Sequence, residues 1–316
     1  MDFQCNRTFH AHDCRVSINK LSSISLRSYA KINLGLQVIR KRTDGYHDIE
    51  TVMQTVDLTD RITVTPQRSQ IEVTCSDPMV PVDGQNLVHR AAQMLRDRYE
   101  INRGVRIDIQ KQIPVAAGLA GGSGNGAMTL LALNRMWGLD LPERELSRLA
   151  AELGSDIPFC MLGGTVLATG RGEHLEQLDV QCPCVFVLAT PNCQVSSAWA
   201  YQNLKIDLTN VESMISLVLC ALRQRDTMQL VSSIQNDLEK TVMEAFPIVY
   251  SVKQVLDGCG ASGVLMSGSG PTVFGIVPDR MAGEQVAACV RQVAGDWRVF
   301  VTSPISRAEI LTQRGI

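Results

Sequence analysis

Short β-branched and alternating apolar stretches dominate the first third of the chain. Over Ile24–Ser28 and Ile32–Ile39 this pattern predicts strands. Thr43-Asp44-Gly45-Tyr46 is a turn signal, after which Ile49–Val56, Arg61–Thr65 and Ile71–Cys75 continue the strand pattern. At Asn86, an N-cap residue type, the period changes: Leu87, Ala91 and Leu95 fall on one face of a helix running to Tyr99. Val105–Ile109 returns to strand. A glycine-rich loop over Gly118–Gly126 leads into a helix over Ala127–Trp137, and Glu143–Leu153 is amphipathic. Gly154-Ser155-Asp156-Ile157-Pro158 turns into a short helix, with proline at a tolerated early position.

Thr165–Ala168 and Cys184–Ala189 predict strands, the second bounded by Pro183 and Pro191. Helices follow near 197–204, 211–223, 230–246 and 247–256. Gly263–Met266 and Thr272–Val277 then form a strand pair joined by Ser267-Gly268-Ser269-Gly270-Pro271. A helix over 281–294 and a strand over 298–302 finish the pattern. Strands and helices mix without strict alternation, which indicates α+β rather than a doubly wound sheet. The boundary falls near 180, giving an N-terminal extension over 1–22, a first domain over 23–180 and a second over 181–316.

Composition supports two domains. The chain has 316 residues, 45% hydrophobic and 20% charged, enough for a sizeable core in each half. A net charge of −2 provides no field for nucleic acid or an acidic membrane surface. No run of about 18 apolar residues suggests a membrane span. Of ten cysteines, Cys160, Cys220 and Cys289 sit singly in apolar runs, where a reduced thiol acts as a small hydrophobe. No disulfide framework is visible, and a cytoplasmic location follows. Met1–Leu21 is polar and lacks a signal-peptide core. Its Cys5, His10, His12 and Cys14 match no zinc spacing, so a floppy extension is expected.

The strongest chemical feature is Pro114-Val115-Ala116-Ala117-Gly118-Leu119-Ala120-Gly121-Gly122-Ser123-Gly124-Asn125-Gly126-Ala127. Glycines let backbone N–H groups approach an anion, and the following helix adds its positive end. No Gly-x-x-x-x-Gly-Lys-Ser/Thr is present, so this is not a Walker A loop. Gly122–Ala127 matches a dinucleotide pattern, but in the wrong place for a βαβ unit. Four other segments are ambiguous singly. In Ala30-Lys31-Ile32-Asn33-Leu34, Lys31 and Asn33 share one strand face, and an isolated lysine there is more often a snorkelling surface residue. In Gly154-Ser155-Asp156-Ile157-Pro158-Phe159, Asp156 reads locally as a helix cap. Asp44-Gly45-Tyr46-His47 reads as a solvated turn, and Ser267–Pro271 as a hairpin connection.

Together and in this order, the five segments resemble the GHMP kinases, over nearly the whole chain from about Ser25 to about Val301. The resemblance implies a ribosomal-protein-S5-like N-terminal domain and a ferredoxin-like α/β sandwich C-terminal domain. It also implies transfer of the γ-phosphoryl group of ATP, with Mg²⁺, to a small-molecule alcohol. Lys31 and Asp156 would be the catalytic pair. Pro114–Gly124 would wrap the ATP phosphates, with Ser123 as the side-chain hydroxyl for phosphate or metal. Asn33, Tyr46 and His47 would meet the acceptor, and Ser267–Pro271 would close the site. Tyr201 would be a second stacking face or a core aromatic. The Tyr46-His47 turn points within the family to the 2-hydroxyl of diphosphocytidyl methylerythritol, with Tyr46 stacking on the cytosine and His47 bonding its polar edge. The expected assembly is a monomer or weak homodimer. Homoserine or mevalonate kinases, a non-catalytic nucleotide-binding protein and, last, a nicotinamide enzyme are the alternatives. The chain departs from the usual family loop at Ala120, Gly124 and Gly126, losing one hydroxyl at Gly124.

Overall fold

Residues 23–180, 182–204 and 214–314 are described by a computed structural model. The expected extension with Cys5, His10, His12 and Cys14, and the start of the helix expected from Val211, lie outside the described residues.

β1 (Ile24–Lys41) and β2 (His47–Gln67) form one long antiparallel hairpin around the predicted turn. Each of these long strands merges two predicted ones. Register shifts at Tyr29/Ala30, Asn33/Gly35 and Val38/Arg40 keep β1 paired where its alternation breaks, the behaviour of bulges. β3 (Ile71–Cys75), β4 (Gly104–Gln110), β5 (Thr165–Thr169) and β6 (His174–Leu178) complete a six-stranded sheet, ordered β3-β4-β2-β5-β6 with β1 on β2. α1 (Leu87–Arg98), α2 (Gly121–Trp137), α3 (Glu143–Leu153) and α4 (Ile157–Leu162) supply the rest of this half. Ile62, Ile107, Leu95, Met128 and Leu133 pack between helices and sheet. Fully burying such side chains stabilises by about 1.5–3 kcal/mol each.

The second sheet runs β10-β7-β9-β8, from β7 (Val185–Thr190), β8 (Ser262–Met266), β9 (Val273–Val277) and β10 (Arg298–Thr302). Its helices are α5 (Ser197–Gln202), α6 (Met214–Gln224), α7 (Thr227–Ser233), α8 (Leu238–Ala245), α9 (Pro247–Gly258) and α10 (Arg280–Val293), with α11 (Arg307–Arg314) last. The predicted helix over 230–246 is broken between α7 and α8. Asn236 causes the break: its Oδ1 caps the Leu238 N–H at 3.0 Å, and its Nδ2 donates to Met266 O and Gly268 O at 2.8 and 2.7 Å.

Two expectations need correction. Cys289 is not a reduced thiol but is bonded to Cys259, because the end of α9 lies beside α10 with the two Cα atoms 5.8 Å apart. α11, unmarked in the hydrophobic pattern, returns to the first sheet's half. Its buried Arg314 donates to Met161 O and Cys160 O at 2.6 and 3.1 Å, tying down the end of α4. Burial lowers the Arg314 guanidinium pKa to about 10. Among the described residues no helix is long and apolar enough to cross a membrane.

Candidate active site

β1 sets the first functional face. Lys31 and Asn33 point one way while Ile32 and Leu34 point the other, and all four are buried. Lys31 does not snorkel: it is 5% exposed, held by side chains rather than water. Its Nζ donates to Asn33 Oδ1 at 2.7 Å and lies 3.8 Å from Asp156 Oδ2. Asn33 Nδ2 donates to Thr51 Oγ1 at 2.8 Å, and Thr51 Oγ1 donates to Gly35 O at 2.6 Å. This chain of donors fixes the ammonium in place.

The local reading of Asp156 as the cap of α4 does not hold. Its backbone is already helical, with φ −81° and ψ −12°, and its side chain makes no cap bond. A capping residue normally holds an extended backbone that lets its oxygen reach back to the first amides. The Asp156 carboxylate is instead turned toward Lys31 and is 41% exposed. An unspent carboxylate beside a buried ammonium is suited to accepting a proton next to developing negative charge.

The glycine segment is more helical than its sequence suggested. α2 begins at Gly121, so Gly121–Gly126 are its first turns rather than loop. Ala120, just before it, is left-handed at φ 54°, a conformation that favours glycine. Helix geometry leaves the N–H groups of Gly121, Gly122 and Ser123 without intrahelical partners. The approach to α2 is sewn in place: Lys31 N–H donates to Leu119 O at 3.1 Å, and Ser267 Oγ donates to Gly118 O at 3.1 Å. A Cβ on Gly118 would stand 2.1 Å from Ser267 O, so only glycine permits this crossing. The Ser267–Pro271 connection is therefore a wall of the site. A Cβ on its Gly268 would stand 3.1 Å from both Lys31 Nζ and Asn33 Oδ1.

One cavity of about 860 Å³ joins these parts. Pro114–Gly118 and Ala120–Ser123 line it, as do Lys31, Asn33, Tyr46, His47, Asp156 and Tyr201. Two expected nucleotide-binding residues do not. Leu119 is 1% exposed in the apolar core. Gly124 faces β1, where a Cβ would stand 2.5 Å from Ser28 Oγ. A hydroxyl there would therefore meet β1 rather than the cavity.

Sequence reading missed Asn125 and Arg171, both in the cavity wall. Asn125 is 2% exposed and its Oδ1 has no hydrogen-bond partner among the described residues. A buried amide oxygen left open is costly unless a ligand satisfies it. The only signal was its place inside the glycine-rich segment, one residue past the stretch expected to wrap the phosphates. Arg171 had none.

At the far end of the cavity, the His47 and Tyr201 rings stack with centroids 5.6 Å apart at 26°. His47 is thus half-buried, not the solvated turn residue its local sequence suggested. Burial, then the Lys41 charge, lowers the His47 pKa below the ordinary histidine value, so the ring is neutral at pH 7. Burial raises the Tyr201 phenol pKa above its ordinary value, with the charges of Asp156 and Asp237 adding to it. Tyr46 is 56% exposed, with the Arg171 guanidinium over its ring at 5.1 Å.

A family model described as the GHMP kinases N terminal domain matches residues 86–164, and one described as GHMP kinases C terminal matches 219–296. A 4-diphosphocytidyl-2-C-methyl-D-erythritol kinase of Brevibacillus brevis is 42% identical over 287 residues, covering 90% of this chain and 98% of its own. The protein of that name in Bacillus subtilis is 46% identical, over 78% and 86% of the two chains. A crystal structure of a 4-(cytidine 5'-diphospho)-2C-methyl-D-erythritol kinase superposes with a TM-score of 0.77 at 31% identity, covering 89% of this chain and 99% of its own.

Proposed function

The chain belongs to the GHMP kinase family, and from that premise we propose that it phosphorylates the 2-hydroxyl of diphosphocytidyl methylerythritol at the expense of ATP, in isoprenoid precursor supply. The observation that carries the reading is one continuous cavity. It holds an anion-binding helix start at one end, an aromatic pair with a neutral histidine at the other, and Lys31 with Asp156 on its wall. Residues 23–180 and 181–316 are taken as the two domains, with α11 of the second packed back on the first, and ATP dependence is the support for a cytoplasmic location.

The residues present fit a nucleotide triphosphate. Gly121, Gly122 and Ser123 line the cavity at the start of α2, where their N–H groups would donate to phosphate oxygens. Among the described residues no group of three or more His, Cys, Asp or Glu side chains gathers to hold a metal. The Ser123 hydroxyl would be the loop's side-chain oxygen for a Mg²⁺ ion held with the nucleotide. When bound, Mg²⁺ supplies neutralisation of charge on the phosphate oxygens.

The protein's own work is positioning and charge stabilisation, which carry most of a phosphoryl transfer. Asp156 receives the proton as the acceptor oxygen bonds to the γ-phosphorus and the bond to the β–γ bridging oxygen breaks. Lys31, fixed by Asn33, stabilises negative charge on the reacting oxygens. His47, neutral, offers both a donor and an acceptor to the cytosine edge. Tyr201 and Tyr46 are the aromatic faces for the ring. Asn33 acts through Lys31 and supports the acceptor end.

A coupled ATP-consumption assay over a panel of alcohols tests this. Turnover of diphosphocytidyl methylerythritol, with homoserine and mevalonate inert, is the expected result. Homoserine or mevalonate turnover in its place would overturn the substrate while leaving the family intact.

A further inference from the structure

Three cationic side chains line the cavity: Lys31, Lys111 and Arg171. Two are spent. Lys31 is held by Asn33 at 2.7 Å and faces Asp156 at 3.8 Å. Lys111 Nζ lies 2.6 Å from Asp60 Oδ2, with the two side chains 3% and 0% exposed. Arg171 differs. Its Nε reaches Glu173 Oε1 only at 3.4 Å, while Glu173 Oε2 accepts the Arg171 backbone N–H at 2.5 Å. Glu173 is its ion-pair partner through Nε, and its two terminal nitrogens make no hydrogen bond among the described residues. Arg171 therefore brings to the cavity a positive charge with unused donors, 36% exposed.

Sheet register explains its position. β2 pairs with β5 over Thr51↔Ala168 to Gln54↔Thr165, and Ile49 N–H donates to Gly170 O at 2.7 Å. The β5–β6 hairpin tip thus arrives beside the Tyr46-His47 turn. Gly170 and Gly172 flank Arg171 with φ of 71° and 107°, which lets the tip fold tightly and present its middle side chain. The guanidinium then rests 5.1 Å over the Tyr46 ring. A cation on one ring face orients Tyr46 and leaves the planar Nη donors free at the edge.

We propose that Arg171 determines substrate specificity by binding the diphosphate of the cytidine-bearing acceptor. This rests on the cytidine reading given above. In such an acceptor the diphosphate joins base to alcohol, so it must cross the cavity between the His47–Tyr201 pair and Asp156. The helix start of α2 serves the donor nucleotide. The acceptor's own two phosphates still need a counter-charge, and Arg171 has bidentate geometry suited to them.

Equilibrium binding of cytidine and of cytidine diphosphate separates the possibilities. It is measured with a non-hydrolysable ATP analogue present, for the parent, Arg171→Gln and Arg171→Lys. Arg171→Gln should weaken cytidine diphosphate by about 10-fold or more and flatten its salt dependence. Cytidine and ATP-analogue affinity should change less than about 3-fold, and Arg171→Lys should recover part of the loss. Equal weakening of cytidine and cytidine diphosphate would make Arg171 a prop for Tyr46 and overturn the proposal. A larger loss for the ATP analogue would assign it to the donor and overturn it as well. If the parent binds neither cytidine compound, the cytidine reading itself fails, and Arg171 with it.

Discussion

Replacing Asp156 by Asn separates a chemical role from a structural one. The two side chains are nearly isosteric, and the Asp156 side chain makes no cap bond that the change could break. Its ion pair with Lys31 spans 3.8 Å and the Asp156 carboxylate is itself 41% exposed, so water screens the pair and its worth to stability is about 1 kcal/mol. The melting temperature should therefore shift by no more than a few degrees. Turnover should respond quite differently. An amide cannot accept the hydroxyl proton, and general-base contributions are typically about 10²–10⁴-fold in rate, or about 3–5 kcal/mol of barrier. ATP affinity should stay within about 3-fold of the parent, because the amides of α2 are untouched. Turnover by a coupled assay, nucleotide affinity by titration calorimetry and a melting curve together settle the case. A fall in turnover of less than about tenfold would refute the base assignment. A parallel collapse of ATP affinity would move Asp156 into the nucleotide site.

His47 has a folded-state pKa below its unfolded one, so the folded protein holds that proton less tightly than the unfolded chain. Its contribution is intact above the ordinary histidine range and is lost as pH falls. The KM for the cytidine substrate should accordingly be flat from about pH 8 to 6.5 and rise below that, a rise that His47→Gln should abolish. Ala120→Gly should raise stability by about 0.5–1 kcal/mol, since relief of the left-handed backbone outweighs the added chain entropy; thermal melting checks it, and a loss would contradict the observed φ. Gly124→Ser should cost about 1–3 kcal/mol in overpacking against the buried Ser28 Oγ. Adding Ser28→Ala should recover part of that cost in a double-mutant cycle, and strict additivity would deny the contact.

Much of the fold was legible because its signals are local. The two-residue period of β1 and β2, the Asn86 cap and the glycine segment are written within short windows. Strand length was not, because the bulges near Ala30 and Gly35 interrupt the alternation while tertiary pairing continues across them. The break at Asn236 was hidden for a similar reason: its partners Met266 and Gly268 lie far along the chain. The same holds at the site. Lys31 reads as a surface lysine until Asn33, Asp156 and Gly268 enclose it. Asp156 reads as a cap until its backbone angles are known. Motif order supplied both residues when local pattern could not. It had nothing to offer for Arg171, which reaches the cavity through the pairing of β2 with β5. The Cys259–Cys289 bond was likewise invisible, since Cys259, just past α9, and Cys289, within α10, lie 30 residues apart.

The most direct test is a phosphorus NMR time course of the purified protein with ATP, Mg²⁺ and diphosphocytidyl methylerythritol. The γ-phosphate resonance should decay as a single new phosphomonoester grows at the same rate, with the acceptor's diphosphate signals intact and one ADP formed per monoester. Decay of the γ-phosphate into inorganic phosphate alone, or no decay until homoserine or mevalonate is added, would contradict a kinase that joins the α2 phosphate site to a cytidine pocket through Lys31 and Asp156.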